Sequence, residues 1–263
     1  MALQMLTNVS IAFVYRDAAF KSETISQTHL GETLEVLEEQ EEWLYIKQED
    51  GYIGWVARFF LCEKPADWDH HAFYYHGQLT SRIFQNPDRQ SNAIRDITIL
   101  SKLPLMAQKD GWAEVLLPDG MTGWLESYPR TIPSQVDVEQ LIQTAFSFQG
   151  IQYFWAGRSP KGFDCSGFVQ TVYGLHGIIL PRDAYQQAEI GSRLEDDFSV
   201  WGAGDLLYFS EQSGSISHVA ISLGKGDFIH ASGFVKVNSL NPEHPELYLE
   251  KYHKLYTKAM RVL

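Results

Sequence analysis

One spacing pattern occurs twice in the N-terminal half of the chain and limits what that half can fold into. The sequence WLYI at 43–46 is followed by DGYIGWV at 50–56, and WAEV at 112–115 is followed by DGMTGWL at 119–125. Each copy predicts a strand, a turn at Asp-Gly and a second strand entered through Gly-Trp, because glycine supplies the positive φ that tight turns need. We therefore predict two β-hairpins of the same design.

Further strand-like segments precede each hairpin. Residues 31–37 and 97–100 alternate apolar with polar side chains, and this alternation is typical of half-buried strands. With these strands added, each copy matches a small half-open barrel. The pattern resembles bacterial SH3-like domains, so we predict small all-β SH3-like barrels over 1–64 and 73–130, joined by a linker at 65–72.

The composition after residue 130 is that of an α+β domain, which we place at 131–263. Ser134 or Asp137 is a suitable N-cap for a first amphipathic helix. A second helix is predicted to begin at Asp164 and Cys165. Strand-like runs follow at 205–209, 218–223, 227–231 and 258–262.

Charge and composition exclude several classes of partner. Lys and Arg total 21 against 33 Asp and Glu, which gives a formal net charge of -12. Because nucleic acids and anionic membranes are bound through basic patches, we expect neither as a partner. The chain has 2 cysteines and no Cys/His spacing typical of zinc sites, so we predict no disulfide framework and no metal. The oligomeric state is left undetermined.

The first residues and the hydropathy bear on location. Residues 1–8 have neither a basic segment nor an unbroken apolar core of signal-peptide length, and no later run is long enough to span a membrane. As the chain stands, we predict a cytoplasmic protein. A leader removed earlier would leave no trace in this sequence.

The chemistry centres on Cys165 and two histidines. At a helix start, unpaired N–H groups and the helix dipole favour a thiolate, which is the nucleophilic form of cysteine. Such a nucleophile needs an imidazole to move protons and a third group to orient that imidazole. His218 and His230 flank a turn at 224–226, and a three-residue turn would place them directly opposite one another on one face of a hairpin.

Motifs around these residues resemble those of the NlpC/p60-type cysteine peptidases. They are YFWAG at 153–157, FDCSGFV at 163–169, LPRD at 180–183, HVAI at 218–221 and HA at 230–231. The resemblance implies a papain-like fold without a cofactor that cleaves bacterial cell-wall peptides. It assigns Cys165 as the nucleophile, His218 as the base and His230 as the residue that orients it. Tyr153 falls where the family has a tyrosine near the oxyanion.

Two SH3-like barrels before such a domain are similar to the layout of one subgroup, the γ-D-glutamyl-L-diamino acid endopeptidases. The resemblance implies small murein peptides as substrates, with a free N-terminal L-Ala, cut between γ-D-Glu and L-Lys or diaminopimelate for recycling. It further implies that the substrate amine is bound by Asp164 and Asp183, and that Tyr52 and Glu23 of the first barrel close the site beyond it. Ser166 is expected either to bind substrate or to support the start of the helix. Asp164 is also expected to cap its helix.

Two other functions stay open at this point. One is an exported peptidoglycan hydrolase or amidase that acts on intact wall and uses the barrels as anchors. The other is a binding protein in which the catalytic domain is degenerate. The negative charge favours small peptides with a free amine over anionic wall polymers. We interpret Cys62, which has no such motif around it, as a packed thiol.

Overall fold

In the computed structural model, which describes residues 3–210 and 214–263, the chain divides into two units between Thr131 and Ile132. The first unit contains two antiparallel sheets. The first sheet has the order β3-β2-β6-β5-β4-β1-β7. Its strands are β1 (Gln4–Thr7), β2 (Ile11–Tyr15), β3 (Thr24–His29), β4 (Thr33–Gln40), β5 (Trp43–Lys47), β6 (Ile53–Ala57) and β7 (Leu61–Glu63).

The second sheet repeats this order as β10-β9-β13-β12-β11-β8. Its strands are β8 (Phe73–Tyr75), β9 (Thr80–Phe84), β10 (Ala93–Thr98), β11 (Lys102–Lys109), β12 (Trp112–Leu116) and β13 (Thr122–Leu125). Strand by strand, β8 to β13 correspond to β1 to β6. This equivalence supports our interpretation of the first unit as two SH3-like barrels.

Both predicted hairpins are present, and they share one register. Tyr45 faces Trp55 in the pair β5–β6, and Glu114 faces Trp124 in the pair β12–β13. Gly51 in the first turn has φ +85°, and its counterpart in the second hairpin has φ +83°. The turn glycines are therefore required by backbone conformation, as the sequence indicated.

The glycine before each tryptophan is required for a different reason than the turn glycines. A Cβ on Gly54 would lie 2.5 Å from Val14 Cγ1 and 2.9 Å from the carbonyl oxygen of Tyr15. A Cβ on Gly123 would lie 2.5 Å from Ile83 Cγ2. Neighbouring strands therefore approach at these positions more closely than any side chain permits.

The segment predicted as a linker is part of a core. Trp68 is fully buried, and it packs in one apolar cluster with side chains of the second sheet and with Leu6 and Leu30 of the first. Ser10 Oγ also donates to Asp96 Oδ2 at 2.7 Å between the two sheets. The predicted linker therefore includes one core residue, because the large indole ring of Trp68 is stabilised by burial among side chains of both sheets.

The second unit has a central antiparallel sheet of order β16-β21-β17-β18-β19-β20. Its elements are α1 (Val138–Ser147), β14 (Arg158–Ser159), β15 (Gly162–Phe163), α2 (Cys165–Gly174), α3 (Ala184–Gln187), β16 (Ser192–Arg193), β17 (Ala203–Phe209), β18 (His218–Gly224), β19 (Asp227–Ser232), β20 (Phe234–Ser239), α4 (Glu250–Leu255) and β21 (Tyr256–Arg261). Asp137 caps α1 by accepting from the N–H of Glu139 at 2.9 Å.

Helix α2 is the buried element that positions the candidate nucleophile. All of its side chains from Cys165 to Tyr173 are buried, and the helix packs against β18 and β19. A helix that is apolar or buried all round belongs to the interior of a domain. Its first residue is therefore held firmly against the sheet. In the part of the chain that the structure describes, no helix has the length and apolar character needed to cross a bilayer.

Candidate active site

Cys165 is the first residue of α2, and Asp164 is its N-cap. The Asp164 carboxylate accepts from the N–H of Gly167 at 2.6 Å, as capping aspartates do. A Cβ on Gly167 would lie 2.1 Å from the carbonyl oxygen of Gly157, so the first turn packs directly on the 156–157 loop. Ala156 in this loop has φ +63°, a left-handed conformation that glycine adopts more easily than alanine.

The Cys165 sulfur lies against the start of β18. Sγ is 3.9 Å from the carbonyl oxygen of Ser217, and the backbone N–H groups of Val219 and Ser166 donate to it. His218 stands between Ser217 and Val219 in the chain. The helix start and the strand start therefore bring the thiol and the first histidine into one place.

The two histidines share one face of the β18–β19 hairpin, but they are not directly opposite. Ile221 pairs with Ile229, and the same register continued places Ala220 opposite His230. His218 is two residues before Ala220, so the histidines are diagonal neighbours. The prediction of a directly opposed pair was wrong, because a three-residue turn at 224–226 gives this same register, in which His218 lies opposite Ser232 and not His230.

The diagonal arrangement still produces a close hydrogen bond. His218 Nε2 and His230 Nδ1 are 2.7 Å apart, and His230 Nε2 is 3.0 Å from Asn238 Oδ1. Asn238 lies on β20, which pairs with β19 in register His230 to Lys236. The sequence analysis missed both β20 and Asn238. The signal for the strand was the run of β-branched residues Val235 and Val237 after Gly233.

The Tyr252 ring on α4 covers both imidazoles. Its centroid is 6.1 Å from that of His218 with nearly parallel planes, and 4.9 Å from that of His230 with nearly perpendicular planes. Tyr252 Oη donates to Ser232 Oγ at 3.0 Å, which fixes the ring. The histidine pair is thus shielded from water on this side.

Burial dominates the proton affinities of the thiol and the imidazole. It raises the pKa of Cys165 to about 12; the Asp164 carboxylate also raises it, and N–H groups and Arg182 offset part of the shift. Burial lowers the pKa of His218 to about 4 and holds that of His230 well below its usual value. Burial therefore opposes the thiolate that the position at the helix start favours.

Acid is expected to destabilise this unit. His218 binds a proton near pH 6.5 in the unfolded chain and near pH 4 in the fold, so the stability it contributes is present above pH 6.5 and is lost as pH falls toward 4. Part of the ring reaches solvent, so the loss is at most about 3 kcal/mol. Hydrogen exchange of the β18 and β19 amides at both pH values measures it. His218→Gln should lose less stability over this range, and an equal loss in both proteins would contradict the assignment.

Tyr153 pairs through its backbone with the segment that precedes the nucleophile. Its backbone N–H donates to the carbonyl oxygen of Gly233 at 2.7 Å, and the residue bridges to Phe163, two positions before Cys165. The backbone thus ties Tyr153 both to the segment that leads into α2 and to the β19–β20 turn. An oxyanion role for its hydroxyl stays a prediction.

Asp164 and Ser166 belong to a buried polar network centred on Arg182. Arg182 Nη1 donates to Asp164 Oδ1 at 3.2 Å and to Ser166 Oγ at 3.0 Å, and Nη2 pairs with Asp164 Oδ2. Ser166 Oγ donates to Asp164 Oδ1 at 3.3 Å. The carboxylate therefore has several internal donors besides the cap N–H, which supports a structural role. Contact of either residue with substrate stays a prediction.

The other predicted substrate ligands lie in different places. Asp183 is the partly buried N-cap of α3, directly after Arg182, and its N–H donates to Gln186 Oε1 at 3.2 Å. Glu23 and Tyr52 belong to the first unit, where Glu23 pairs with Arg16 at 2.8 Å. Their roles in substrate binding stay predictions. Within residues 3–210 and 214–263, no three His, Cys, Asp or Glu side chains are grouped as metal ligands.

Comparison with known proteins matches both halves of the chain. The NlpC/P60 family profile matches residues 150–254, and the bacterial dipeptidyl-peptidase Sh3 domain profile matches residues 14–58. A gamma-D-glutamyl-L-lysine dipeptidyl-peptidase of Bacillus cereus is 31% identical over 245 residues, which cover 86% of this chain and 73% of the relative. Dipeptidyl-peptidase 6 of Lysinibacillus sphaericus is 30% identical over 263 residues, which cover 89% of this chain and 91% of the relative.

Solved structures include one similar over nearly the whole length. The crystal structure of an NlpC/P60 family protein from Bacillus cereus matches with a TM-score of 0.85 and 26% sequence identity, covering 99% of this chain and 99% of that chain.

Proposed function

The chain belongs to the NlpC/P60 family of cysteine peptidases, and on that premise we propose that it cleaves the amide bond between γ-linked D-Glu and an L-diamino acid. The names of its relatives from Bacillus cereus and Lysinibacillus sphaericus support this bond. The observation that carries the proposal is the buried thiol of Cys165 beside the hydrogen-bonded pair His218 and His230.

These residues provide both halves of the reaction. The Cys165 sulfur attacks the γ-carbonyl carbon of D-Glu while its proton passes to His218, because neither group holds a charge alone. His218 then gives this proton to the amine of the diamino acid as the C–N bond breaks. Water hydrolyses the resulting thioester with His218 as base, and the peptide acid and the free thiol are released. The oxyanion is expected to be held by the Cys165 N–H and by Tyr153.

A free N-terminal L-Ala is the proposed specificity handle. An ammonium group taken out of water needs a carboxylate and further acceptors. Asp183, the partly buried N-cap of α3, is the proposed carboxylate. Asp164 accepts from Arg182, Ser166 and Gly167, which supports a structural role for it. Tyr52 and Glu23 are proposed to contribute from the first barrel. Such a requirement restricts the enzyme to freed murein peptides, which fits a role in recycling in the cytoplasm.

The test compares L-Ala-γ-D-Glu-L-Lys with the same peptide acetylated at its N-terminus, followed by mass spectrometry of the products. We expect cleavage after D-Glu that releases L-Ala-γ-D-Glu, and a fall of at least about 100-fold in kcat/KM on acetylation, since a buried charged hydrogen bond is lost. Equal turnover of both peptides would exclude recognition of the amine. Efficient release of peptides from intact sacculi would favour a wall hydrolase instead.

Asp183→Asn tests the carboxylate. Asparagine still caps a helix, so α3 is preserved while the negative charge is removed. We expect kcat/KM for the free-amine peptide to fall by about 10- to 100-fold, and the preference over the acetylated peptide to shrink accordingly. Asp137→Asn, at the cap of α1, is the matched control and should leave the preference unchanged. An unaltered preference in Asp183→Asn would reject this assignment.

A further inference from the structure

A line of hydrogen bonds behind His218 ends at a backbone carbonyl. It runs from His218 Nε2 to His230 Nδ1 at 2.7 Å and from His230 Nε2 to Asn238 Oδ1 at 3.0 Å. Asn238 Nδ2 then donates to the carbonyl oxygen of Leu247 at 3.1 Å. His230 is fully buried and Asn238 is 8% exposed. Each step along this line is a direct hydrogen bond between two protein groups.

The Leu247 carbonyl sets the orientation of the Asn238 amide. A carbonyl oxygen only accepts hydrogen bonds, so the NH₂ group of the amide has to face it. The same oxygen also accepts from the N–H of Ser239 at 2.9 Å. A flipped amide would place two acceptor oxygens against each other in a buried site, which is unfavourable. Asn238 Oδ1 therefore faces His230.

The amide in turn sets the proton positions on both imidazoles. Because Asn238 Oδ1 only accepts, His230 Nε2 carries the proton, and in a neutral ring Nδ1 is then the acceptor. Burial keeps His230 neutral. The short contact between the rings therefore requires His218 Nε2 to be the donor. In the neutral ring, His218 Nδ1 is left without a proton.

We propose that Asn238 is a positioning residue that fixes the tautomer of His230 and thereby leaves His218 Nδ1 as the base for the Cys165 thiol. The inference rests on the proposed catalytic roles of Cys165, His218 and His230. In this arrangement the backbone carbonyl of Leu247, which lies between β20 and α4, determines which nitrogen of His218 takes the Cys165 proton.

The donor-to-acceptor direction of these hydrogen bonds also limits the role of His230 during the reaction. When the Cys165 proton arrives at His218 Nδ1, the proton on Nε2 can stay where it is, because His230 Nδ1 accepts it in both charge states. His230 stabilises the imidazolium as a neutral acceptor, and its Nε2–H bond to Asn238 makes Nδ1 a better acceptor. No proton moves from His218 to His230.

The first test reads the tautomers directly in the full chain. Two-bond ¹H–¹⁵N correlation spectra of protein labelled at histidine distinguish protonated from unprotonated ring nitrogens. In the unaltered protein near pH 7, we expect His230 and His218 each to carry the proton on Nε2. A proton on His230 Nδ1 would overturn the proposal, and this measurement requires no variant to fold.

The second test removes the acceptor. In Asn238→Ala, we expect mixed His230 tautomers, a fall in kcat on the order of 10- to 100-fold with little change in KM, and slower alkylation of Cys165 by iodoacetamide. Asn241→Ala removes a second buried asparagine of the same segment, whose Nδ2 donates to Lys225 O at 3.4 Å, and should leave the tautomers unchanged.

Two outcomes separate this inference from the proposed function. Unchanged tautomers and unchanged alkylation in Asn238→Ala would overturn the positioning role whatever the substrate is. The expected tautomers together with no cleavage of γ-D-glutamyl peptides would support the positioning role and remove the proposed substrate, because neither spectra nor alkylation uses a peptide.

Discussion

Cys165→Ala is expected to abolish cleavage of γ-D-glutamyl peptides, with a loss in kcat/KM of at least about 10⁴-fold. The reason is that the sulfur forms the covalent intermediate, and the remaining groups only bind substrate and stabilise the oxyanion. Steady-state hydrolysis of L-Ala-γ-D-Glu-L-Lys measures the loss. Substrate binding by calorimetry should be retained, since the side chain that is removed is small.

The chain supplies its own control for this experiment. Cys62, the other cysteine, lies in β7 of the first unit. Cys62→Ala should keep the full rate, and iodoacetamide should inactivate it as it does the unaltered enzyme. Residual activity of Cys165→Ala well above the background rate would exclude Cys165 as the nucleophile. It would also contradict the interpretation of this site as the active site.

Arg182→Met is expected to lower the free energy of unfolding by about 3–5 kcal/mol. The side chains of Arg182 and Asp164 are only 1% and 10% exposed, and removal of one partner leaves the other charge buried without compensation. Urea-induced unfolding, monitored by hydrogen exchange of the α2 amides, measures the change in the free energy of unfolding. Activity should fall as well, because Asp164 caps the helix that carries Cys165.

A double-mutant cycle separates the ion pair from simple loss of packing. Asp164→Asn combined with Arg182→Met should be less destabilised than the sum of the single variants, because the unpaired charge is gone. Arg193→Met is the matched control: Arg193 pairs with Asp196 at 3.2 Å in an exposed position, and its loss should change stability by less than about 1 kcal/mol. Additive effects of Asp164→Asn and Arg182→Met would contradict an energetic coupling between the two side chains.

Features set by neighbouring residues were predictable from the sequence. The Asp-Gly turns, the cap at Asp164 and the start of α2 each depend on a few adjacent side chains and their backbone preferences, so they are readable without a structure. The family motifs, which the comparisons confirm, also pointed to Cys165 and the two histidines. These local signals carried the α+β assignment and the chemistry of a thiol with imidazoles.

Features that join distant parts of the chain were decided by the tertiary structure. The diagonal offset of His218 and His230, the partnership of Asn238 with His230, and the burial of Arg182 depend on sheet register and on how segments pack. The pKa of Cys165 depends on the fold for the same reason: a helix start favours a thiolate, whereas burial in the fold raises the pKa of the thiol. Solvent exclusion is a property of the assembled unit, and no run of adjacent residues encodes it.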